Sequence, residues 1–449
     1  YAQRSDPLKV LSTFNDVLPL PEGKPAGEHA RCQLQVVSCP GRFRHMFETA
    51  DSRARVMRDR LVEFEAQIAA KHGLDPESFA PLLASSTGPN PVMVVGRVCT
   101  GEGDDGAVMI EGKHGRRIPL DTRHLDAFSL FPGQIVAVEG HNPSGQTFVA
   151  RRIISDVALP LATSPAKEIA AFNTGDEFLG GAPMTMVVAA GPFCMDDDLS
   201  YAPLDDLLQY VSTVHPDVLV VMGPLVDIEH RQLNPEVVPE PQDPLTLSQE
   251  VLRRIHSVVS SRTRVVVLPS LRDATGSFVF PQPPLSRDLL PEDADITLVG
   301  HPSRLKVNEL NIAVTSCDVI HHLAKAEVGP PNGNPGDRMS RLFGHLMMQQ
   351  SMYPLFPGAE GSYLALDHID RAAFVGSTPD VLIAPSILTP FAKRVGETLV
   401  INPGLLTKAG RGPGSFARVT VHPLAIGDTD DAPKEHRVAS RSRVDLIRI

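Results

Sequence analysis

Hydrophobic and polar residues follow two different patterns along the chain. Between residues 91 and 155 the apolar residues form short runs, and glycine-containing turns separate several of them. In chain order the runs read VMVVGRV, AVMIEG, RRIPLD, GQIVAVEG and TFVARRI. Five short strands joined in this way predict a small barrel, most simply an OB-fold.

After residue 178 the pattern changes to apolar strands that alternate with amphipathic helices. Residues 184–190, 217–222 and 264–268 are runs typical of strands buried on both faces. Helical faces lie between them, the first formed by Leu204, Leu207, Leu208 and Val211. This alternation predicts a parallel sheet covered by helices. Further strands of a two-layer core are predicted at residues 311–316, 380–384, 398–401, 415–421 and 443–449.

The amino-terminal third contains one clear helix. Apolar residues recur at helical spacing through Met57, Leu61, Phe64 and Ile68, and Gly73 is placed to end the helix. The predicted organisation is a linker or arm at residues 1–30, an OB-fold domain with an amino-terminal helical extension at 31–160, and an α/β domain at 176–449.

Composition narrows the classes of function. The chain has 449 residues, 42% of them hydrophobic, and a net charge of −11, which argues against a protein whose main partner is a phosphate backbone. Five scattered cysteines without a CxxC pair predict reduced thiols and no cysteine-based zinc site. The sequence shows no apolar run of membrane-spanning length and no signal-peptide pattern in its first residues.

The predicted barrel is electrically neutral. Residues 91–155 contain seven Lys or Arg and seven Asp or Glu, and their aromatic residues are Phe128, Phe131 and Phe148. Barrels that bind single strands combine a basic groove with stacking aromatics. The composition therefore favours a barrel used for packing over one that binds DNA directly.

One strand end stands out as a place for chemistry. The run at residues 217–222 stops at Gly223-Pro224, because proline cannot donate a hydrogen bond to a neighbouring strand. Asp227 follows just beyond the carboxyl end of this strand, where open α/β sheets hold their ligands. The arrangement resembles the Gly-Asp-x-x-Asp motif of calcineurin-like phosphoesterases, in which the first Asp bridges two metal ions. Here Pro224 stands at that position and offers no ligand atom.

The other strand ends also depart from the phosphoesterase pattern. Arg272 stands near the place of the catalytic imidazole, where a cation repels metal and suits a structural ion pair. Ser386 and Asn402 follow two later strands at positions where histidine ligands are expected. Asp227 and Asp273 remain, but two carboxylates without imidazoles make a poor transition-metal site. We therefore predict an inactivated phosphoesterase fold with no catalytic residue, no metal and no cofactor.

Short motifs along most of the chain resemble the B subunits of eukaryotic replicative DNA polymerases, and most closely those of DNA polymerase α–primase. The motifs are FSLFPGQ (128–134), Arg151, PDV (216–218), GP (223–224), LPSLRD (268–273), PQPP (281–284), YPL (353–355), TPDVLI (378–383), NPGLLTK (402–408) and FAR (416–418). Each motif is short, and their order and spacing make the resemblance specific.

The resemblance implies a subunit without catalysis of its own. In that family the OB-fold and the phosphoesterase-like domain together grip the zinc-bearing C-terminal domain of the catalytic subunit. The primase subunits attach to the same catalytic subunit, so such a protein supports RNA–DNA primer synthesis in the nucleus, with weak or indirect DNA contact and no membrane. The residues that bind the partner are not predicted.

Two other functions stay open. A metal-dependent phosphoesterase or nuclease, as in archaeal relatives of these B subunits, would carry metal at near-stoichiometric occupancy. A single-stranded DNA-binding OB protein would show a salt-dependent affinity that collapses when Arg116, Arg117 and Arg123 are neutralised. The B subunits of polymerases δ, ε and ζ share the architecture, so the choice of polymerase α depends on motif detail.

Overall fold

A computed structural model describes the chain except for residues 2, 3, 5, 22–28, 87–89, 102–106, 331, 332, 335, 409, 411 and 427–431. The described residues form two compact units. The first, here named the α/β unit, comprises residues 1–44, 161–319 and 379–449. The second, named the barrel unit, comprises residues 45–160 and 320–378.

The strands of the described residues are, in chain order, β1 (Val10–Phe14), β2 (Leu34–Ser38), β3 (Val92–Thr100), β4 (Val108–Glu111), β5 (Arg117–Asp121), β6 (Ile135–His141), β7 (Phe148–Ile154), β8 (Thr163–Pro165), β9 (Met184–Ala190), β10 (Val218–Met222), β11 (Arg264–Leu268), β12 (Ile296–Leu298), β13 (Ser303–Val307), β14 (Leu310–Val314), β15 (Val381–Ile383), β16 (Phe391–Val395), β17 (Thr398–Asn402), β18 (Thr407–Lys408), β19 (Gly412–Pro413), β20 (Ser415–Val421), β21 (Pro433–Glu435) and β22 (Ser442–Arg448).

The α-helices in the same part of the chain are α1 (Ala50–His72), α2 (Ala166–Thr174), α3 (Ala202–Val214), α4 (Pro244–Val258), α5 (Val319–Ala326), α6 (Arg338–Met348) and α7 (Val438–Arg441). Short 3-10 helices lie at Pro76–Ser78, Arg231–Leu233, Arg287–Leu289 and Leu366–Ala372. None of the helices that the structure describes combines the length and apolarity needed to span a bilayer.

The larger sheet of the α/β unit has a parallel centre. Among the described residues its seven strands pair in the order β1-β22-β20-β9-β10-β11-β12. Strands β9 to β12 run parallel to one another, and β20 joins β9 in antiparallel pairing. Every residue of β9 and β10 is buried, as expected for strands covered on both faces. Helices α3 and α4 cover one face, where Leu204 and Val251 share a core with Leu219 and Val267.

The second sheet of this unit lies against the other face of the first. Its strands pair in the order β16-β17-β15-β14-β13-β2 over the described residues. Side chains from both sheets form one apolar core, which includes Val188, Val220, Ile312 and Ile383. The predicted two-layer α/β core is confirmed.

The barrel unit contains a closed barrel with the strand order β3-β4-β5-β7-β6. Strands β5 and β7 are parallel and the other neighbours are antiparallel, which is the five-stranded arrangement of an OB-fold. Its interior is filled by buried side chains such as Ile110, Leu120, Val136 and Phe148. The predicted barrel is confirmed, strand for strand.

Helix α1 packs against this barrel through the face that the sequence predicts. Thr49 caps its first turn together with Ser52, and Gly73 ends it with a left-handed φ of 62°. Leu61, Phe64 and Ile68 are buried in a cluster with barrel residues.

The unit boundaries differ from the predicted domain boundaries. Strand β1 lies within the predicted linker at residues 1–30 and pairs with β22, while residues 2, 3, 5 and 22–28 of that linker fall outside the described residues. Strand β2, predicted as part of the OB-fold domain, pairs with β13 of the α/β unit. Residues 320–378 belong to the barrel unit rather than to the α/β unit. These segments join partners distant in sequence, and local hydrophobic spacing carries no information about such partners.

Candidate functional site

The predicted site lies at the carboxyl ends of parallel strands in the α/β unit. Met222, the last residue of β10, pairs in register with Leu268, the last residue of β11. The Gly223 N–H then donates to the Leu268 carbonyl at 2.8 Å. The loops that follow the two strands therefore start side by side.

The Asp273 side chain joins these two loops. Its carboxyl group is fully buried. Oδ1 accepts hydrogen bonds from the N–H groups of Leu225 (2.5 Å) and Val226 (3.3 Å), and Oδ2 accepts from the Ser270 N–H (2.6 Å). Burial raises the pKa of Asp273 to about 7, against the opposing effect of the three N–H donors. Both oxygens thus serve the loop backbone.

Glycine at position 223 makes this close approach possible. A Cβ atom added at Gly223 would lie 2.0 Å from Asp273 Oδ2 and 2.7 Å from the Ser270 nitrogen. Pro224 follows through a cis peptide bond. Its ring therefore stands at the position where phosphoesterases carry the bridging carboxylate.

Arg272 neutralises the other remaining carboxylate. Its Nε donates to Asp227 Oδ1 at 3.0 Å, and a terminal guanidinium nitrogen donates to Asp227 Oδ2. The same nitrogen lies 3.0 Å from Glu229 Oε2. Asp227 is buried whereas the Arg272 side chain is 41% exposed, so the pair lies at the rim of the site. Two parallel N–H···O bonds fix both the charge and the orientation of the carboxylate.

Ser386 and Asn402 lie together, at the ends of β15 and β17. The Ser386 N–H and the Gly404 N–H each donate to Asn402 Oδ1 at 2.9 Å. Asn402 Nδ2 donates to the carbonyl oxygens of Leu388 (3.4 Å) and Thr389 (3.3 Å). The amide therefore satisfies backbone groups of the surrounding loops, a structural task for a buried polar side chain.

Sequence reasoning missed His301, which is fully buried beside the same loops. The Ser316 N–H donates to its Nδ1 at 3.2 Å. Its backbone pairs with Gln282, whose Nε2 donates to the Ser270 carbonyl at 3.0 Å. Burial lowers the pKa of His301 to about 3, so the ring is neutral at physiological pH. A single histidine between Gly300 and a proline has no motif spacing that marks it.

The donors at these strand ends do not fit a two-metal centre. Such a centre places carboxylates and imidazoles around two ions that lie ~3.5–4 Å apart. Asp273 directs both oxygens at backbone N–H groups, and Asp227 accepts from a guanidinium. Over the residues that the structure describes, no group of three or more His, Cys, Asp or Glu side chains could hold a metal ion.

Comparisons with known proteins identify the family. The family of DNA polymerase alpha/epsilon B subunits matches residues 186–393. The family formed by the OB domain of DNA polymerase alpha B subunits matches residues 54–156. Together the matches cover parts of both the α/β unit and the barrel unit.

Relatives of the same name occur in distant eukaryotes. The chain is 29% identical over 471 residues to the DNA polymerase alpha B subunit of Schizosaccharomyces pombe, with 99% of this chain and 79% of that protein covered. It is 31% identical over 434 residues to the Mus musculus protein of that name, with 93% and 69% covered. The corresponding Drosophila melanogaster protein is 34% identical over 324 residues, with 71% and 48% covered.

A solved archaeal phosphodiesterase is similar to 56% of this chain and 98% of its own, at 11% identity. Its TM-score of 0.26 is too low for any argument about this chain. The matching families and the relatives confirm the predicted family, whose members are accessory subunits of a DNA polymerase. The chain belongs to the family of DNA polymerase α B subunits.

Proposed function

We propose that this chain is a non-catalytic scaffold subunit that binds the C-terminal domain of the catalytic subunit of DNA polymerase α. The primase subunits join through the same catalytic subunit, and the assembly makes RNA–DNA primers in the nucleus. The observation that carries the proposal is the pairing of Asp227 with Arg272, at the strand ends where a phosphoesterase would bind metal.

The pairing explains why the fold can persist without the chemistry. A guanidinium supplies a fixed positive charge, which keeps a buried carboxylate paired. It cannot do what a metal ion does, which is to lower the pKa of a bound water and so create a hydroxide nucleophile. The loops keep their shape while the means of hydrolysis is absent from the proposed mechanism.

Exposed apolar side chains on the same loops support a docking role. Ile228, Phe278 and Ile387 are 49%, 46% and 50% exposed, and we name them the strand-end surface. Ile228 lies in the loop after β10, Phe278 in the loop after β11 and Ile387 in the loop after β15. Exposed apolar groups on an ordered scaffold are typical of protein interaction sites.

Hydrogen bonds hold the loops of the strand-end surface in place. The Ile228 N–H donates to the Arg272 carbonyl at 2.9 Å, and the Ile387 N–H donates to Asp318 Oδ2 at 2.9 Å. Ser316 Oγ donates to the Pro269 carbonyl at 2.6 Å, which connects the two sheets at this edge. A preorganised surface loses little conformational entropy when a partner binds.

The barrel offers weaker support for direct binding of single-stranded DNA. Phe131 and Phe148 are fully buried and cannot stack on bases. Arg117 pairs with Glu111, and Arg123 pairs with Asp121. These contacts favour a barrel whose main partner is protein.

Calorimetric titration with the purified C-terminal domain of the catalytic subunit tests the scaffold role. We expect a stable complex, and at least about tenfold weaker binding for the variant I228S/F278S/I387S. Val237, which is 51% exposed in the same unit, gives the matched control V237S, for which binding should not change. Absence of any complex would contradict the scaffold role, whereas equal binding by the triple variant would contradict only the assignment of the strand-end surface.

Hydrolysis of bis-p-nitrophenyl phosphate with Mn²⁺ tests the absence of catalysis. We expect no turnover above that of the metal alone. Turnover that disappears in the variant D227N/D273N would show a working site and overturn the proposal.

A further inference from the structure

The barrel unit contains a cavity of about 450 Å³ outside the strand-end site. It lies between the first turns of α1, the turn from β4 to β5, and the segment that carries Phe356 and Leu366. Nothing in the proposed scaffold role uses this cavity. Its volume is in the range of pockets that hold a small ligand or a few side chains.

The floor of the cavity is apolar. Met57 and Leu61 of α1 line it together with Phe356 and Leu366. Leu61 and Leu366 are 3% and 2% exposed, so they belong to the packed interior beneath the cavity. A smaller neighbouring pocket shares Met57, Phe356 and Leu366, which extends the apolar floor. Such a floor accepts an aliphatic or aromatic side chain.

The rim of the cavity is cationic. Arg53, Arg58, Lys113 and His114 line it. The side chains of Arg53 and Arg58 are 56% and 54% exposed, and their nearest carboxylate contacts are long, at 3.9 Å and 3.8 Å. Lys113 lies 2.5 Å from a Glu65 carboxylate oxygen. The two arginines therefore keep most of their charge available to an incoming anion.

Arg97 separates the rim from a further acidic group. Its guanidinium pairs with Glu111 at 2.5 Å and lies over the Phe356 ring, 5.3 Å from the ring centre. Glu111, the carboxylate that lines the cavity, is thereby neutralised. One face of Phe356 is covered by the guanidinium, which removes the stacking platform that a nucleic-acid base needs.

The walls are ordered before any ligand binds. Thr49 and Ser52 cap α1 reciprocally, which fixes its first turns. In the turn from β4 to β5 the Gly115 N–H donates to the Gly112 carbonyl at 3.0 Å, and Gly115 has a left-handed φ of 71°.

We infer that this cavity binds an acidic peptide segment of a partner protein, with one large apolar side chain on the floor and flanking carboxylates on the rim. Carboxylates match guanidinium groups in charge and in bidentate geometry. The apolar floor favours a peptide over a nucleic-acid strand, since a sugar–phosphate chain has no aliphatic group to bury there. The inference concerns the barrel unit and stands whether or not the strand-end surface contacts the catalytic subunit.

Fluorescence anisotropy with the full chain tests the inference. The probe is a labelled peptide, Asp-Asp-Glu-Leu-Phe-Glu-Asp-Asp, for which we expect a dissociation constant on the order of 10 μM that weakens with salt. A peptide with serine in place of Leu-Phe, and one with lysine in place of the acids, should each bind at least about tenfold more weakly.

Charge reversal on α1 locates the binding site. R53E/R58E should weaken binding at least about tenfold, while R55E should leave it unchanged. Arg55 is 59% exposed on the same helix and does not line the cavity, so it is a matched control. M57S tests the floor without a change of charge and should also weaken binding. Thermal unfolding of each variant verifies that it is folded.

Three outcomes would overturn the inference. The first is no peptide binding at ~1 mM, a weak limit for a specific site. The second is binding that R53E/R58E and R55E weaken equally. The third is displacement of the peptide by oligo(dT) of higher affinity, which would assign the cavity to single-stranded nucleic acid.

Discussion

Arg272 contacts both carboxylate oxygens of Asp227, with Nε 3.0 Å from Oδ1 and a terminal nitrogen on Oδ2. Asp227 is buried, since only 6% of its surface is exposed. In a phosphoesterase a carboxylate at this edge would face a metal ion. Here a side chain of the same protein supplies the positive charge, which makes the pair a structural contact.

Removing the guanidinium should destabilise the fold. R272A leaves Asp227 buried without its partner, and we expect a loss of about 1–2 kcal/mol, because the exposed side of the pair is screened by water. The double variant D227N/R272A should recover part of this loss. Urea unfolding at constant ionic strength measures both. R253A, in an exposed ion pair with Glu250, is the control and should cost less than about 0.5 kcal/mol. Strict additivity of the two single changes would contradict a coupling between Arg272 and Asp227.

Gly223 should not tolerate a side chain. In G223A the new Cβ meets Asp273 Oδ2 and the Ser270 nitrogen, and the loop must shift. We expect a loss of about 3 kcal/mol or more in the free energy of unfolding. Gly344 in α6 is the matched control, since an added Cβ finds no atom within 4 Å. There G344A should stabilise the protein by up to about 1 kcal/mol. A neutral G223A variant would mean that the Asp273 loop is not rigid.

His301 should make the protein sensitive to acid. Its pKa is lowered to about 3 in the folded state from an ordinary value near 6.5. The neutral ring therefore contributes stability above pH ~6.5 that is lost progressively as the pH falls toward 3. H301N keeps an acceptor for the Ser316 N–H and does not titrate. Between pH 7 and pH 4 we expect the wild type to lose roughly 1–3 kcal/mol more than this variant in urea titrations. Parallel pH profiles would contradict the prediction.

Gln349 should stabilise the barrel unit through backbone contacts. Its Nε2 donates to the Ile135 carbonyl at 3.0 Å, and the Ile135 N–H donates to its Oε1 at 2.9 Å. Q349M has a similar shape but leaves both buried backbone groups without partners, which should cost about 2–4 kcal/mol. Q146M changes an exposed glutamine and should stay within about 0.5 kcal/mol. Thermal and urea unfolding of the two variants give the comparison, and equal stabilities would refute the role of Gln349.

Much of the site could be predicted from the sequence, and its contacts could not. Gly223-Pro224 marks the strand end, and Asp227, Arg272 and Asp273 follow within a few residues of predicted strands. The predicted ion pair of Arg272 had no named partner, because the partner lies on a different loop 45 residues away. His301 gave no signal, since its significance depends on burial.

Local spacing determined the strands of the barrel, the alternation of strands and helices, and the face of α1 that is buried, because each depends only on which side of an element must be apolar. The order of the motifs determined the family. Only the tertiary structure decided that β1 and β2 join the two sheets of the α/β unit, and that a guanidinium and three backbone N–H groups occupy the two remaining carboxylates. Such pairings depend on residues far apart in sequence, and their free energy is set by burial and geometry that no local pattern contains.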